Sequence, residues 1–370
     1  MNIDVYCYDD IHNPRCGGGG ALRELTVHRL IAERHPVRFN TGNFKGARNI
    51  DEHNFTCRHL GSDASYLISR ITFAITATIS SLFSKADIIA VPYSIYAPVI
   101  TFLFRPKKTV VLFFHVTGKE VFKKYGIFGI AAWIAEKTVL AFGKNFLTLT
   151  DSMAQMLLSK RQGNRARAGY VGFDTGLLSD TPIDRNFILC FGRIDVRMKG
   201  LDILIPAFDK IAGKFPRLFL VIAGRGQETN IEWVRNRIKE SPYHERIQCL
   251  VNIPESKRKE LFHTTTFVCM PSRFEGWNIA AIEAAASSKA TLGTRIQGLN
   301  DSIKENETGL LVPPEDVDAL AEKMALLLSD PALRKKLGKN GYAWAQNFTW
   351  EKVAKIQEEF YLEVIKTRNK

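Results

Sequence analysis

The chain of 370 residues is 45 % hydrophobic and 24 % charged, with a net charge of +13, an ordinary soluble globular composition with room for two domains and two full cores. No stretch reaches 18 uninterrupted apolar residues. The nearest, "IIAVPYSIYAPVITFLF", carries Pro92 and Pro98, which argues against a spanning helix.

The start, "MNIDVYCYDDIHN", shows no basic leader ahead of an apolar core and reads as a mature N-terminus. The six cysteines, at 7, 16, 57, 190, 249 and 269, form no CxxC pair. They read as reduced, buried thiols of a cytoplasmic protein. Charge is uneven: residues 1–171 hold 22 Lys and Arg against 12 Asp and Glu, and residues 172–370 hold 29 against 26. A basic first half suits nucleic acid, an anionic membrane surface or phosphorylated substrates. No zinc finger or RNP-type strand supports nucleic acid.

In chain order, strands are expected at "IDVYCY", "ADIIAVP", "TVVLFFHV" and "FLTLT", with helices after Gly20, around Tyr66 to Phe83, around Ile127 to Phe142 and after Asp151. This alternation predicts a parallel α/β unit. The Gly-, Asp- and Thr-rich stretch "AGYVGFDTGLLSDTPIDRN" then breaks the pattern. It restarts with strands "FILCFGR", "LFLVIAG", "RIQCLV" and "FVCMPS", separated by helices "LDILIPAFDKIAGKF", "IEWVRNRIKES" and "KRKELFHTT". The end, "PALRKKLGKNGYAWAQNFTWEKVAKIQEEFYLEVIK", is helical and long enough to cross back over the first domain. The expected domains are 1–172, 173–345 and a terminal helix over 346–370. Two doubly wound units bind ligands at the carboxyl ends of their strands.

Three stretches of the second half carry the chemistry. "CFGRIDVRMKG" puts Arg193 and Lys199 at a strand's carboxyl edge, two cations able to reach a diphosphate. "FLVIAGRGQE" ends a strand with Gly224, small enough for close backbone approach. "PSRFEGWNIAAIEAAASSKA" starts a helix near Gly276 to Asn278, whose free N–H groups at Gly276, Trp277, Asn278 and Ile279 can face an anion. Glu275 and Glu283 lie about 12 Å apart if that stretch is fully helical. That is the span from the hexose hydroxyls to the ribose of a nucleotide sugar. A carboxylate in the apolar run Ile279 to Ala286 needs a donor, so Glu283 meets either ribose hydroxyls or an Arg or Lys of its own chain.

These residues, with "GTRIQGLNDSIKENETGLLVPPED", make the chain resemble glycosyltransferases of the GT-B fold, family 4, which retain anomeric configuration and use nucleotide sugars. The resemblance is dense from Phe187 to Leu328 and thinner before Gly172. It implies two Rossmann-like domains facing a central cleft, with a C-terminal helix crossing back to the first domain. "CGGGGALRELTVHRL" resembles the family's glycine loop, which implies that Gly18 and Gly19 approach the donor diphosphate. A dinucleotide fingerprint fails, since position 22 is Leu. His115, in "VVLFFHVTGKE", stands where the family carries a histidine that contacts the transferred sugar or the acceptor. Trp277 and Asn278 replace the family's usual Phe-Gly pair, and Gln297-Gly298 replaces its paired glycines.

The resemblance implies a retaining hexosyltransferase with a UDP- or GDP-linked donor, base contacts near Val251 to Ser256, and a glycan or lipid-linked glycan acceptor in cell-surface polysaccharide or glycolipid assembly. Arg193, Lys199, Glu275 and His115 are its expected catalytic residues. No metal is expected, and Asp9-Asp10 reads as a turn. The basic clusters "FRPKK", "GKEVFKKYG" and "SKRQGNRARAG" point to a cytoplasmic enzyme peripheral on the inner membrane face. The other readings are a nucleotide-sugar epimerase or phosphorylase of the same fold, a sugar-binding regulator without turnover, and a basic nucleic-acid-binding protein.

Overall fold

The computed structural model describes residues 1–13, 19–94, 97–98, 100–114 and 129–368, and the chain divides into two compact units. The first comprises Met1–Gly172 and Trp350–Lys370. Its elements are β1 (Ile3–Tyr6), α1 (Gly19–Ala32), β2 (Val37–Gly42), β3 (Ile50–Glu52), β4 (Phe55–Leu60), α2 (Tyr66–Leu82), β5 (Ile88–Pro92), α3 (Thr101–Phe104), β6 (Thr109–Phe113), α4 (Gly129–Phe142), β7 (Asn145–Thr148), α5 (Asp151–Lys160) and β8 (Arg165–Ala168). Among the described residues the sheet order is β3-β4-β2-β1-β5-β6-β7-β8, parallel except for β3 against β4.

Alternation along the strands assigns the helices to two layers. Ile3 and Val5 of β1 and Cys7 just beyond it, with Ile88 and Ala90 of β5, pack against Val27 and Ile31 of α1. Tyr6 and Tyr8, with Ile89 and Val91, pack against Phe73 and Ala77 of α2.

The second unit, Phe173–Thr349, contains β9 (Phe187–Ile194), α6 (Val196–Lys199), α7 (Leu201–Ala212), β10 (Phe219–Gly226), α8 (Glu228–Glu240), β11 (Ile247–Val251), α9 (Glu255–Thr264), β12 (Phe267–Met270), α10 (Ile279–Ala286), β13 (Thr291–Thr294), α11 (Gln297–Ser302), β14 (Gly309–Val312), α12 (Val317–Ser329) and α13 (Pro331–Ala345). Its sheet is parallel in the order β11-β10-β9-β12-β13-β14. The order reverses between β9 and β12, so the loops that leave these two strands diverge and open a crevice.

The helical end of the sequence is two helices. α13 is followed by a 3-10 turn, Gln346–Phe348, and then α14 (Trp350–Arg368). Phe348 is buried edge-on against Trp277 and Trp344, at 5.1 Å and 4.7 Å. The second unit therefore runs on to Thr349 rather than ending at 345. α14 joins the first unit, where Phe360, Tyr361 and Val364 pack with Val27 and Ile31. A buried polar cluster fixes this docking. Arg23 of α1 donates to the Gln357 side chain at 2.9 Å and to the Gly169 carbonyl at 2.9 Å, and pairs with Glu24. Tyr361 Oη lies 3.1 Å from His28 Nε2.

Candidate functional site

Of the expected residues of the second unit, Arg193, Lys199, Glu275 and Asn278 come together at the β9/β12 reversal. β9 and β10 run in register with Gly192 opposite Gly224. A Cβ on Gly224 would sit 1.6 Å from the Gly192 carbonyl oxygen. The close approach that Gly224 permits is thus between two strands, and its place is structural. Gly192, Arg193, Lys199, Ser272 and Asn278 line one small pocket. Arg193 is exposed there and makes no ion pair among the described residues.

Lys199 is delivered by a short helix. Asp195 caps α6 by accepting from the Met198 N–H, and Gly200 ends it with φ 64°. Only glycine fits at 200, because a Cβ would lie 2.0 Å from the Pro271 carbonyl oxygen and because φ is positive. Lys199 Nζ reaches Glu275 Oε1 at 2.5 Å. The same oxygen accepts from Ser272 Oγ at 2.7 Å and from Asn278 Nδ2 at 3.0 Å. Three donors therefore converge on one carboxylate whose side chain is 10 % exposed. Gly298 backs it, since a Cβ there would meet the Glu275 carbonyl oxygen at 2.4 Å. Arg273 anchors the loop by a two-pronged pair with Asp202, at 2.8 and 2.9 Å, and by donating to the Arg197 carbonyl.

The helix begins later than expected. Asn278 is its cap, accepting from the Ala281 N–H at 2.9 Å, and Ile279 is the first helical residue. Glu275, Gly276 and Trp277 precede the helix, so the spacing of the two glutamates is not a helical one. Asn278 works in both directions, closing the helix tip with its oxygen and holding Glu275 with its amide. The Trp277 ring packs on Phe348.

Glu283 is buried in α10, and Arg258 of α9 pairs with its carboxylate. Arg258 also holds Glu255 at 2.8 Å. Burial pushes the Glu283 carboxyl up to about 7, against the pull of the Arg258 guanidinium. Of the two partners that the sequence leaves open to Glu283, the fold supplies a cation of its own chain. No local pattern of the sequence marks Arg258 or Ser272. Their roles depend on which loops the sheet brings together.

In the first unit Gly18 and His115 lie outside the described residues, and Gly19 opens α1. Asp10 accepts from the His12 N–H at 2.7 Å, as a turn residue does, and faces His59 Nε2 at 3.2 Å. Ligand atoms of Asp10, Cys57 and His59 lie within 4.8 Å of one another, which makes this the group able to hold a metal among the described residues.

Residues 179–344 match the family described as "Glycosyl transferases group 1". The matched residues fall within the second unit. The chain is 32 % identical over 206 residues to an uncharacterised glycosyltransferase of Methanocaldococcus jannaschii, covering 55 % of this chain and 56 % of that one. It is 28 % identical over 192 residues to the D-inositol 3-phosphate glycosyltransferase of Corynebacterium glutamicum, covering 51 % and 46 %. The chain spans about half the length of the curated relatives it matches. Solved structures cover all but a few residues. Sucrose-phosphate synthase of Thermosynechococcus elongatus aligns with a TM-score of 0.81 at 19 % identity, over 99 % of this chain and 100 % of that one. Anabaena HepE in complex with UDP-glucose aligns at 0.74 and 15 %, over 99 % and 100 %. At such identities the likeness is one of fold, and the fold is GT-B: α/β, with parallel sheets in two Rossmann-like units.

Proposed function

We propose that the protein is a retaining glycosyltransferase that moves a hexose-type sugar from a UDP- or GDP-linked donor to a glycan or lipid-linked glycan in cell-surface polysaccharide or glycolipid assembly. The observation that carries this reading is the Lys199–Glu275 pair at the strand reversal, with the exposed Arg193 beside it. A diphosphate arriving there meets two cations, and Glu275, held by Ser272 and Asn278, keeps one oxygen for sugar hydroxyls. In the transfer, the bond from the anomeric carbon to the diphosphate oxygen breaks and a bond to the acceptor oxygen forms on the same face. The acceptor proton passes to the departing phosphate oxygen. Arg193 and Lys199 stabilise the charge that develops on that group, and Glu275 fixes the sugar's orientation. On this reading Glu283 turns from Arg258 toward the ribose hydroxyls, and no metal takes part.

The test is a thermal-shift screen with UDP- and GDP-sugars, in which a donor at one hundred times its Kd adds about 2.7 kcal/mol of stability. A paired assay follows nucleotide release with and without glycan acceptors. Stabilisation by one donor, with release dependent on an acceptor, is expected. Release without any acceptor favours hydrolysis or epimerisation, and no stabilisation by any nucleotide sugar removes the proposal.

A further inference from the structure

α2 is amphipathic in the inverted sense. Its sheet-facing side is Ser69, Phe73, Ala77 and Ser81, all buried, and its solvent side is Leu67, Ile71, Ile75, Ile79 and Phe83, all exposed, with Phe83 at 81 %. Both sets recur every four residues, so each forms one continuous stripe. The inner stripe is satisfied internally: Ser81 Oγ lies 2.5 Å from Thr101 Oγ1 of α3, and Ser69 Oγ lies 3.2 Å from Tyr8 Oη.

The apolar outer surface continues beyond α2. α3 packs against both α2 and α4, and it exposes Leu103 and Phe104, while α4 exposes Ile130, Ile134 and Phe142. A patch spanning three adjacent helices exceeds what single stray hydrophobic residues account for and marks a surface that something apolar covers.

The charges around the patch identify the cover. Over the three helices Lys137 is exposed and the carboxylate, Glu136, is buried. Lys85 follows Phe83, Lys107 follows Phe104 and Lys144 follows Phe142, all three exposed and without an ion pair among the described residues. Arg105 donates to the Leu82 and Ser84 carbonyls, adding a cation at the C-terminal end of α2. Apolar side chains flanked by lysines fit an interface with fatty-acyl chains below and anionic headgroups at the rim. A second copy of the chain would bring its own lysines against this rim.

We propose that the α2–α3–α4 face docks on an anionic phospholipid surface, with Ile75, Ile79, Phe83 and Phe104 entering the acyl boundary and Lys85, Lys107 and Lys144 meeting the headgroups. This surface is remote in sequence from the β9/β12 site and holds whether or not the protein transfers sugar. The segment 118–126 lies outside the described residues and is not needed for it.

The experiment is co-sedimentation of the full chain with phosphatidylglycerol–phosphatidylcholine vesicles and with pure phosphatidylcholine vesicles, beside size-exclusion chromatography without lipid. The wild type pellets with the anionic vesicles, and the double variant Ile75→Asp, Ile79→Asp reduces the bound fraction at least tenfold. Lys85→Glu with Lys107→Glu removes the preference for anionic lipid. Leu362→Asp, an exposed apolar position on α14, pellets as the wild type does, and circular dichroism of each variant reports its fold. Wild-type protein that stays in the supernatant, or an Ile75→Asp, Ile79→Asp variant that pellets unchanged, overturns the proposal. So does a dimer that this variant dissociates, which assigns the face to self-association.

Discussion

Lys199 and Glu275 stand 76 positions apart in the chain and 2.5 Å apart in the fold. One follows β9 and the other follows β12, and these strands are neighbours only because the sheet reverses its order between them. The pair has a direct consequence for activity. Lys199→Ala should lower kcat by about 10² to 10³, the scale of losing one preorganised charge donor. Its Tm should change little, because Ser272 and Asn278 still hold Glu275. A transfer assay beside a melting curve separates the two effects, and a variant with unchanged kcat refutes the role.

Glu283 gives a stability profile with a definite sign. Its carboxyl titrates at about 7 in the fold and at 4.5 as its ordinary value. The folded chain thus holds the proton more tightly, and its contribution is complete below about 4.5 and lost as pH rises through about 7. Unfolding free energies at pH 5 and pH 8 should differ by up to about 3 kcal/mol from this source, and Glu283→Gln should flatten the profile. Donor affinity should move the opposite way, rising through pH 7 as the carboxylate becomes able to accept from ribose.

Arg258→Ala should destabilise the second unit by about 3–5 kcal/mol, because Glu283 is left buried without its counter-charge. Chemical denaturation measures this. The double variant Arg258→Ala, Glu283→Gln should recover much of the loss.

Gly224→Ala should be among the most damaging single-methyl additions in the chain. The new carbon meets the Gly192 carbonyl at 1.6 Å, and backbone in a parallel ladder has little room to move. A loss of more than about 3 kcal/mol is expected, whereas Gly46→Ala, where the same construction meets nothing within 4 Å, should cost about 1 kcal/mol from its positive φ alone.

Arg23→Met should unseat α14. It removes the donor to Gln357 and Gly169 and strands Glu24 in a fully buried position, for about 3–5 kcal/mol. Limited proteolysis within Trp350–Arg368 should accelerate in step.

The strands that could be read from the sequence are those buried on both faces, such as β5, β6, β9, β10 and β12, because burial on two sides writes an unbroken apolar run. β2 and β4 carry no such run. Polar residues Arg38, Asn40, Arg58 and His59 interrupt their apolar ones, and two of these find partners on β1: Arg38 pairs with Asp4, and Asn40 donates to the Val5 carbonyl at 3.0 Å. β8, "RARA", is an edge strand and reads as charge.

What the sequence alone determined was the alternation of elements and the chemistry available at loop ends: Arg193, Lys199, Glu275 and Glu283 stand out because charge beside or inside an apolar run is costly unless it is used. What only the tertiary structure decided was pairing. Arg258 was one cation among many until α9 came to lie beside α10, and Gly224 was a candidate ligand contact until register set it against Gly192. The exposed stripe of α2 has the four-residue spacing of a core stripe, and periodicity gives the apolar face of a helix while leaving open which side the sheet takes. Proximity between residues distant in the chain is a property of topology, and short-range pattern does not encode it.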